Sequence, residues 1–329
     1  MRKIKWGVMG TAYIFERDTA RGMSLAKNCE LTAIARRSME KAEAFRKKYG
    51  FERAYGSYEE LIKDPEVEAV YIPLPNTFHY AWTIKALQHG KHVLCEKPLA
   101  FSGEQAREMF RTARENHVIL MEAFAYQHSP YIRELRKLVR DGEIGELRYV
   151  EAALITSDYD HSNIRMRRET LGGCTYDLGV YALSFVQRMT EMSPVGIHAS
   201  ASLSKEGIDT CTTAILEYEN GSKAHIDCGM VLETEKNSSL DRFQIHGSKG
   251  SIASVDFGFN APGTLSYRLR TFDGKDELRS VEVPNNYFLE VEQMGRCIAG
   301  EETPVVTEEF SVALADTVDR IVKKIGYYF

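Results

Sequence analysis

The tripeptide Glu96-Lys97-Pro98 ends an apolar run, Lys91-His92-Val93-Leu94-Cys95, and puts an ammonium where hydride-transfer chemistry needs one. Pro98 has its φ fixed by the ring, and an X–Pro bond can be cis, so the lysine is aimed in one direction. An isolated lysine would by default point into solvent. A second candidate is Gly7-Val8-Met9-Gly10-Thr11-Ala12-Tyr13-Ile14-Phe15, between the first strand-like run and the first helical one, where a G-x-G-x-x-G dinucleotide fingerprint belongs. Only Gly10 of the three glycines is present; Ala12 and Phe15 replace the others. Alone, the string reads first as a turn that Gly10 relieves. An alanine methyl is nevertheless a small obstruction, and helix N-terminal amides from Thr11 to Ile14 could still bind a pyrophosphate. The next strand-like run ends Ala33-Ile34-Ala35-Arg36-Arg37-Ser38 and has no Asp or Glu to take a ribose 2′-hydroxyl. Two guanidiniums and a serine suit a 2′-phosphate, so NADP is expected over NAD. Ser38 also fits as the N-cap of the helix it begins, and the two roles are compatible.

Pro75-Asn76-Thr77-Phe78-His79, followed by Gly90-Lys91-His92-Val93 and Glu96-Lys97-Pro98, resembles the signature of the Gfo/Idh/MocA oxidoreductases, and the likeness extends over most of the chain. The resemblance implies that Lys97 lies near a nicotinamide and a reacting hydroxyl, where its charge stabilises a developing alkoxide and assists proton transfer. It assigns Leu74, Pro75, Asn76, His79 and Glu96 to the cofactor side. Asn76 fits a helix N-cap, and His79 orders the turn instead of moving a proton. Gly172-Gly173-Cys174-Thr175-Tyr176-Asp177-Leu178-Gly179-Val180-Tyr181 looks like the family's substrate helix, in which Asp177 and Tyr181, four apart, would share a face.

Many members carry histidine where this chain has Tyr181, a departure resembling the dihydrodiol dehydrogenase, D-xylose dehydrogenase and glucose-fructose oxidoreductase branch. Tyr181 then becomes the acid/base, with Lys97 favouring its phenolate and Asp177 orienting a substrate hydroxyl or Lys97. Without the resemblance, Tyr181 reads as an amphipathic core tyrosine and Asp177 as an early-helix acid. Asn163 and Arg165, and by location His161 and Tyr126, are substrate-side candidates.

The elements that must position these groups fall into two patterns. Up to about residue 122, strand-like runs (Ile4 to Met9, Leu31 to Ala35, Val67 to Ile72, His92 to Cys95, Val118 to Glu122) alternate with helical ones, including Asn76 to Gln88 with an apolar stripe of Ala81, Ile84, Ala86 and Leu87 and a stop at Gly90. This is the rhythm of a doubly wound parallel α/β sheet. After a helical segment from Tyr131 to Val139 come longer strand-like runs (Leu147 to Ile155, Thr212 to Tyr218, Ala224 to Met230, Phe243 to His246) with turns at 219–222 and 247–250. Helical stretches Tyr287 to Ile298 and Thr307 to Ile325 close the chain. The expectation is α/β: a Rossmann domain, 1–122, and an α+β domain on a large, mostly antiparallel open sheet, 123–329, for substrate binding and oligomerisation.

With 329 residues, 43% hydrophobic and 27% charged, the composition is that of a globular protein, and a formal charge of -5 argues against a nucleic-acid partner. Six scattered cysteines form no CxxC pair and no metal-ligand spacing with histidine, so no metal is expected. There is no signal-like apolar core and no run of the roughly 18 apolar residues that a membrane span needs, so a cytoplasmic protein without a membrane partner is expected. The reading is an NADP-dependent oxidoreductase acting on a secondary hydroxyl or carbonyl of a carbohydrate-like small molecule, a sugar, polyol or dihydrodiol. The alternatives are a catalytically silent NADP(H)-binding sensor of the same fold and an NAD-dependent inositol-type dehydrogenase. An uncovered sheet face in the second domain would invite association, so a homodimer or higher homo-oligomer is expected.

Overall fold

The computed structural model describes residues 2–157, 159–160, 162–232 and 239–327. Among them, β1 (Ile4–Met9), β2 (Cys29–Ala35), β3 (Arg53–Tyr55), β4 (Ala69–Ile72), β5 (His92–Glu96) and β6 (Leu120–Ala123) form a parallel sheet in the order β3-β2-β1-β4-β5-β6. That is the Rossmann order, whose switch point lies between β1 and β4. Strands covered on both faces must be apolar throughout. β4, Ala69-Val70-Tyr71-Ile72, is buried at every position.

The helix Asn76–Gln88 lies where the sequence pattern puts it, but its first cap differs. Pro75 is the N-cap and Asn76 is already helical. Its buried face is His79, Thr83, Ala86 and Leu87, whereas Ala81 is exposed and Ile84 is half-buried. The apolar stripe misses this face because His79 and Thr83 carry polar atoms and are nevertheless inside. Gly90, at φ +71°, follows the helix end as the sequence suggests.

A second sheet holds β7 (Leu147–Ser157), β8 (Gly196–Leu203), β9 (Asp209–Glu217), β10 (Lys223–Leu232), β11 (Ser239–Gly247), β12 (Gly250–Asp256), β13 (Gly263–Thr271) and β14 (Asp276–Val283). The order is β14-β13-β12-β11-β7-β10-β9-β8, antiparallel except for the central β7–β10 pair. Helices Pro130–Arg140 and Val180–Thr190 pack on one face. There, Val150, Ala152, Ile226, Phe243 and Ile245 are buried. The opposite face carries charge, with Arg242 bridging to Glu151 at 2.8 Å and to Asp227 at 4.0 Å.

The chain divides into two compact units, residues 1–128 with 284–312, and residues 129–283 with 313–329. The helix Asn286–Ile298 therefore belongs to the first unit, whereas reading the chain in order assigns it to the second. It packs on the helix Ala20–Leu25. Gly22 permits the approach, since a Cβ there would come within 2.7 Å of the Tyr287 carbonyl carbon.

Candidate active site

In the first unit, the segment after β1 turns sharply at Gly10, whose φ of +99° is one that side chains rarely adopt. A Cβ there would also meet Leu74 Cδ2 at 3.0 Å. The Gly10 amide donates to the Ala35 carbonyl at 2.9 Å, fastening the end of β1 to the end of β2. A helical run, residues 13–25, follows and widens into a π-turn at Phe15–Thr19. Phe15 takes the place of the fingerprint's third glycine and is fully buried, its ring 5.2 Å from Tyr49, 6.2 Å from Phe51 and 6.4 Å from Tyr71. Local widening of a helix is one way to seat so large a side chain where a glycine would otherwise allow close packing. Thr11 Oγ1 is buried with no hydrogen-bond partner among the described residues. Ala12 and Ile14 are half-buried, and Tyr13 is exposed with Arg17 above its ring at 5.3 Å.

At the end of β2, the Arg36 guanidinium lies 5.2 Å from the Phe45 ring centre. Arg37 is exposed, and Ser38 Oγ caps the helix Met39–Tyr49 by accepting from the Lys41 amide at 3.4 Å. A positive-φ glycine turn, an orphaned buried hydroxyl beside it and two guanidiniums at the next strand end fit a dinucleotide. Thr11 and the helix start would hold its pyrophosphate; Arg36, Arg37 and Ser38 would take its ribose end.

At the end of β5, the Lys97–Pro98 peptide is cis and Lys97 is half-buried. His79 reaches both sides of this turn, with Nδ1 2.8 Å from the Pro98 carbonyl and Nε2 2.7 Å from the Leu74 carbonyl. Burial lowers the His79 pKa, and the Lys97 charge adds to that, against the two carbonyls. Glu96 is buried and accepts from the Tyr71 hydroxyl at 2.6 Å; that hydroxyl also lies 3.0 Å from Thr19 Oγ1. Burial raises the Glu96 pKa, opposed by Tyr71 and Lys97. Glu122, in β6, accepts from the Leu99 amide at 2.9 Å, and burial pushes its pKa up to about 7. Glu290 is fully buried, and neither of its oxygens has a hydrogen-bond partner among the described residues; burial, then the Glu96 charge, raises its pKa well above the ordinary range. Lys97 thus stands in a turn backed by buried acids. Tyr126, a substrate-side candidate, is fully buried in the short helix Ala125–His128, where the Gln127 amide donates to its hydroxyl at 2.7 Å.

In the second unit, residues 174–190 are helical, with a π-turn at Thr175–Gly179. Asp209, buried at the start of β9, fastens the front of this helix: its Oδ2 accepts from the Thr175 amide at 2.7 Å, Thr175 Oγ1 at 2.6 Å and Cys174 Sγ at 3.0 Å. Asp177 lies within the π-turn and Tyr181 just after it. The wider turn qualifies the sequence argument that the two share a face by ordinary helical spacing, and their observed partners differ. Asp177 accepts from Arg165 Nε at 2.6 Å. Asp177, foremost, holds the Arg165 pKa up, and the Tyr159 and Tyr181 phenols lie within reach of the same charge. Asn163 starts the short helix Ile164–Met166 and accepts from the Arg165 amide at 3.0 Å. Tyr181 Oη accepts from Asn260 Nδ2 at 3.1 Å, and its ring packs 5.5 Å from Phe259. Asp177, Tyr181, Asn163 and Arg165 are therefore drawn together; His161 lies outside the described residues.

Sequence reasoning missed Asn260, Asp209, Glu122 and Glu290. Only Asn260 carried a readable signal, as a polar residue in the turn-like Phe257-Gly258-Phe259-Asn260-Ala261-Pro262 stretch.

Comparison with known proteins accords with these two units. Residues 4–124 match the profile of an oxidoreductase family with an NAD-binding Rossmann fold, and residues 132–253 match the GFO/IDH/MocA C-terminal domain. The chain belongs to the Gfo/Idh/MocA oxidoreductase family. D-xylose 1-dehydrogenase (NADP(+)) 2 of Haloferax volcanii is 31% identical, the match covering 96% of this chain and 95% of that one. Trans-1,2-dihydrobenzene-1,2-diol dehydrogenase of Xenopus laevis is 30% identical over 99% of both. Among solved structures, KijD10, a 3-ketoreductase from Actinomadura kijaniata in complex with NADP and TDP-benzene, superposes with a TM-score of 0.89 at 26% identity over 98% of each chain. Gfo/Idh/MocA relatives of this chain thus carry the names of sugar and dihydrodiol dehydrogenases and of a ketoreductase. No helix among the described residues is long and apolar enough to cross a membrane.

Proposed function

We propose that this oxidoreductase uses NADP and moves hydride between its nicotinamide and a secondary hydroxyl or carbonyl of a sugar, polyol or dihydrodiol. The observation that carries the reading is the setting of Tyr181, whose phenol oxygen accepts from Asn260 and lies within reach of the Arg165 charge. A phenol so placed is prepared to hold negative charge, which is what a base taking a hydroxyl proton requires. When bound, the nicotinamide supplies a hydride acceptor or donor at C4. In oxidation Tyr181 takes the proton of the substrate hydroxyl, and the Lys97 ammonium stabilises the charge that develops on that oxygen. In reduction Tyr181 returns the proton to the carbonyl oxygen. Asp177 holds Arg165, and through it the charge beside Tyr181, while Asn163 fixes the backbone of Arg165.

NADP is preferred over NAD because Arg36 and Arg37 stand where an NAD-binding protein places a carboxylate. Two of the named relatives, the D-xylose dehydrogenase and the 3-ketoreductase, carry NADP in their descriptions, which supports the same choice. Gly10, Thr11, Ala12, Tyr13, Ile14 and Ser38 belong to this cofactor side, with Leu74, Pro75, Asn76, His79 and Glu96 around the Lys97 turn.

The test is a spectrophotometric screen with NADP+ and NADPH against D-xylose, other aldoses, trans-dihydrodiols and keto sugars. Tyr181→Phe should lose turnover by about 100-fold or more while still binding NADPH, the range expected when a general acid/base is removed. Undiminished turnover in that variant refutes the role. NADPH binding without turnover over the whole panel would favour the sensor.

A further inference from the structure

We infer that Asn260 is the positioning residue of the acid/base tyrosine, its side-chain amide donating to Tyr181 Oη so that the phenol is kept ready to lose its proton. The inference rests on the reading of Tyr181 given above. An amide N–H donated to a phenol oxygen favours the phenolate, because a hydrogen bond to a charged acceptor is stronger than one to a neutral acceptor. It also occupies one lone pair of the oxygen, which turns the hydroxyl proton away from the amide.

The fold holds Asn260 for this task. Asn260 sits in the connection between β12 and β13, where the Ala261 amide donates to the Gly258 carbonyl at 3.1 Å and closes a turn. The turn is anchored by Asp241 of β11, whose Oδ2 accepts from the Phe259 amide at 3.0 Å. Beneath it lies an aromatic layer. Phe259 packs against Phe257 at 4.9 Å, Phe257 against Phe243 at 5.0 Å, and Phe243 against Phe185 at 4.7 Å; Phe185 lies on the same helix as Tyr181. Helix and turn are thus linked through the buried rings of Phe185, Phe243 and Phe259 and the half-buried ring of Phe257, and the Asn260–Tyr181 contact is set by packing on both sides.

Asn260 does not titrate, so its effect is separable from the groups that do. Charged and titratable groups near it, among the described residues, include Arg165 and Tyr159 on one side, Asp177 in the preceding π-turn, and Asp241 under the turn.

The test is the ionisation of Tyr181 itself, followed by NMR on protein labelled with 13Cζ-tyrosine, the Tyr181 signal being assigned by its loss in Tyr181→Phe. Asn260→Ala should move the Tyr181 midpoint upward by about one pH unit, the scale of a lost hydrogen bond to a charged group. Asn260→Leu keeps the volume without the donor and should move it the same way. Asn260→Ala should also lower kcat in the oxidation direction by roughly tenfold with a smaller change in KM. An unchanged or lowered Tyr181 midpoint in both variants overturns the inference, since a residue that only filled space, or only accepted from the phenol, would give that result. Full activity of Tyr181→Phe would instead overturn the acid/base role of Tyr181, and the NMR midpoints separate the two failures.

Discussion

Replacing Glu122 by glutamine tests the physical state of the turn that carries Lys97. Glu122 is buried in β6 and accepts from the Leu99 amide at 2.9 Å; burial raises its pKa from 4.5 to about 7. A raised folded-state pKa means that the folded protein binds more protons than the unfolded chain between about pH 4.5 and pH 7. The stability tied to this group is fully present below the unfolded pKa and is lost as pH rises through the folded one. A shift of this size corresponds to at most about 3–4 kcal/mol, at about 1.4 kcal/mol per pH unit. Glutamine keeps the acceptor for Leu99 and has no charge to bury. Glu122→Gln should therefore come nearest the parent at about pH 4 and exceed it in stability by a growing margin toward pH 8. For a unit of this size, roughly 2–4 °C of melting temperature accompany each kcal/mol, so the gap should open by several degrees. Calorimetric melting at a series of pH values reads it directly. A gap that stays constant from pH 5 to pH 8 would refute the reasoning, because it would mean that Glu122 titrates alike in the folded and unfolded chain.

Arg36→Ala and Arg37→Ala should each weaken NADPH binding more than NADH binding, together erasing the preference, as measured by cofactor fluorescence titration; equal losses for both cofactors would count against a 2′-phosphate contact. Phe15→Ala should cost about 3–5 kcal/mol in urea unfolding of the first unit, because the ring is fully buried among Tyr49, Phe51 and Tyr71. We propose further that the charged face of the second sheet mediates homodimer formation. Sedimentation at micromolar concentration should then show a dimer; a monomeric parent protein would end that proposal.

The parts of the fold that were legible in the sequence are those where burial alone dictates residue type. β1 and the helix Asn76–Gln88 appear with the bounds that hydrophobic runs and glycine stops suggest. β3 was not legible: Arg53-Ala54-Tyr55 is three residues long and half-buried throughout, so it offers neither an apolar run nor a clear alternation. β8, β12, β13 and β14 escaped as well. β14, Asp276-Glu277-Leu278-Arg279-Ser280-Val281-Glu282-Val283, lies at the edge of its sheet with most positions exposed or half-buried, and its charges read as loop. Assigning Asn286–Ile298 to the first unit needs knowledge of which surface covers the helix, and a linear pattern does not contain it.

The same distinction separates the two halves of the candidate site. Lys97, Tyr181 and Asp177 stand out in the sequence because short motifs carry them at fixed spacing. Their supports come from distant parts of the chain: Asn260 meets Tyr181 across 79 positions, and Asp209 meets Thr175 across 34. Asp209 carries no local mark, and the turn-like setting of Asn260 tells only that a polar residue sits in a turn, since an asparagine in a turn and an aspartate at a strand start are common for reasons of backbone geometry. Both π-turns are likewise invisible to a periodicity search, which assumes one helical pitch. Phe15–Thr19 stands at the start of the helix after Gly10, and Thr175–Gly179 stands just before Tyr181. A local change of pitch rotates every side chain that follows it relative to those before it. The direction in which Tyr181 points is thus set by the π-turn and by the Asp209 anchor in front of it, and Asn260 meets the phenol at the place to which that rotation brings it.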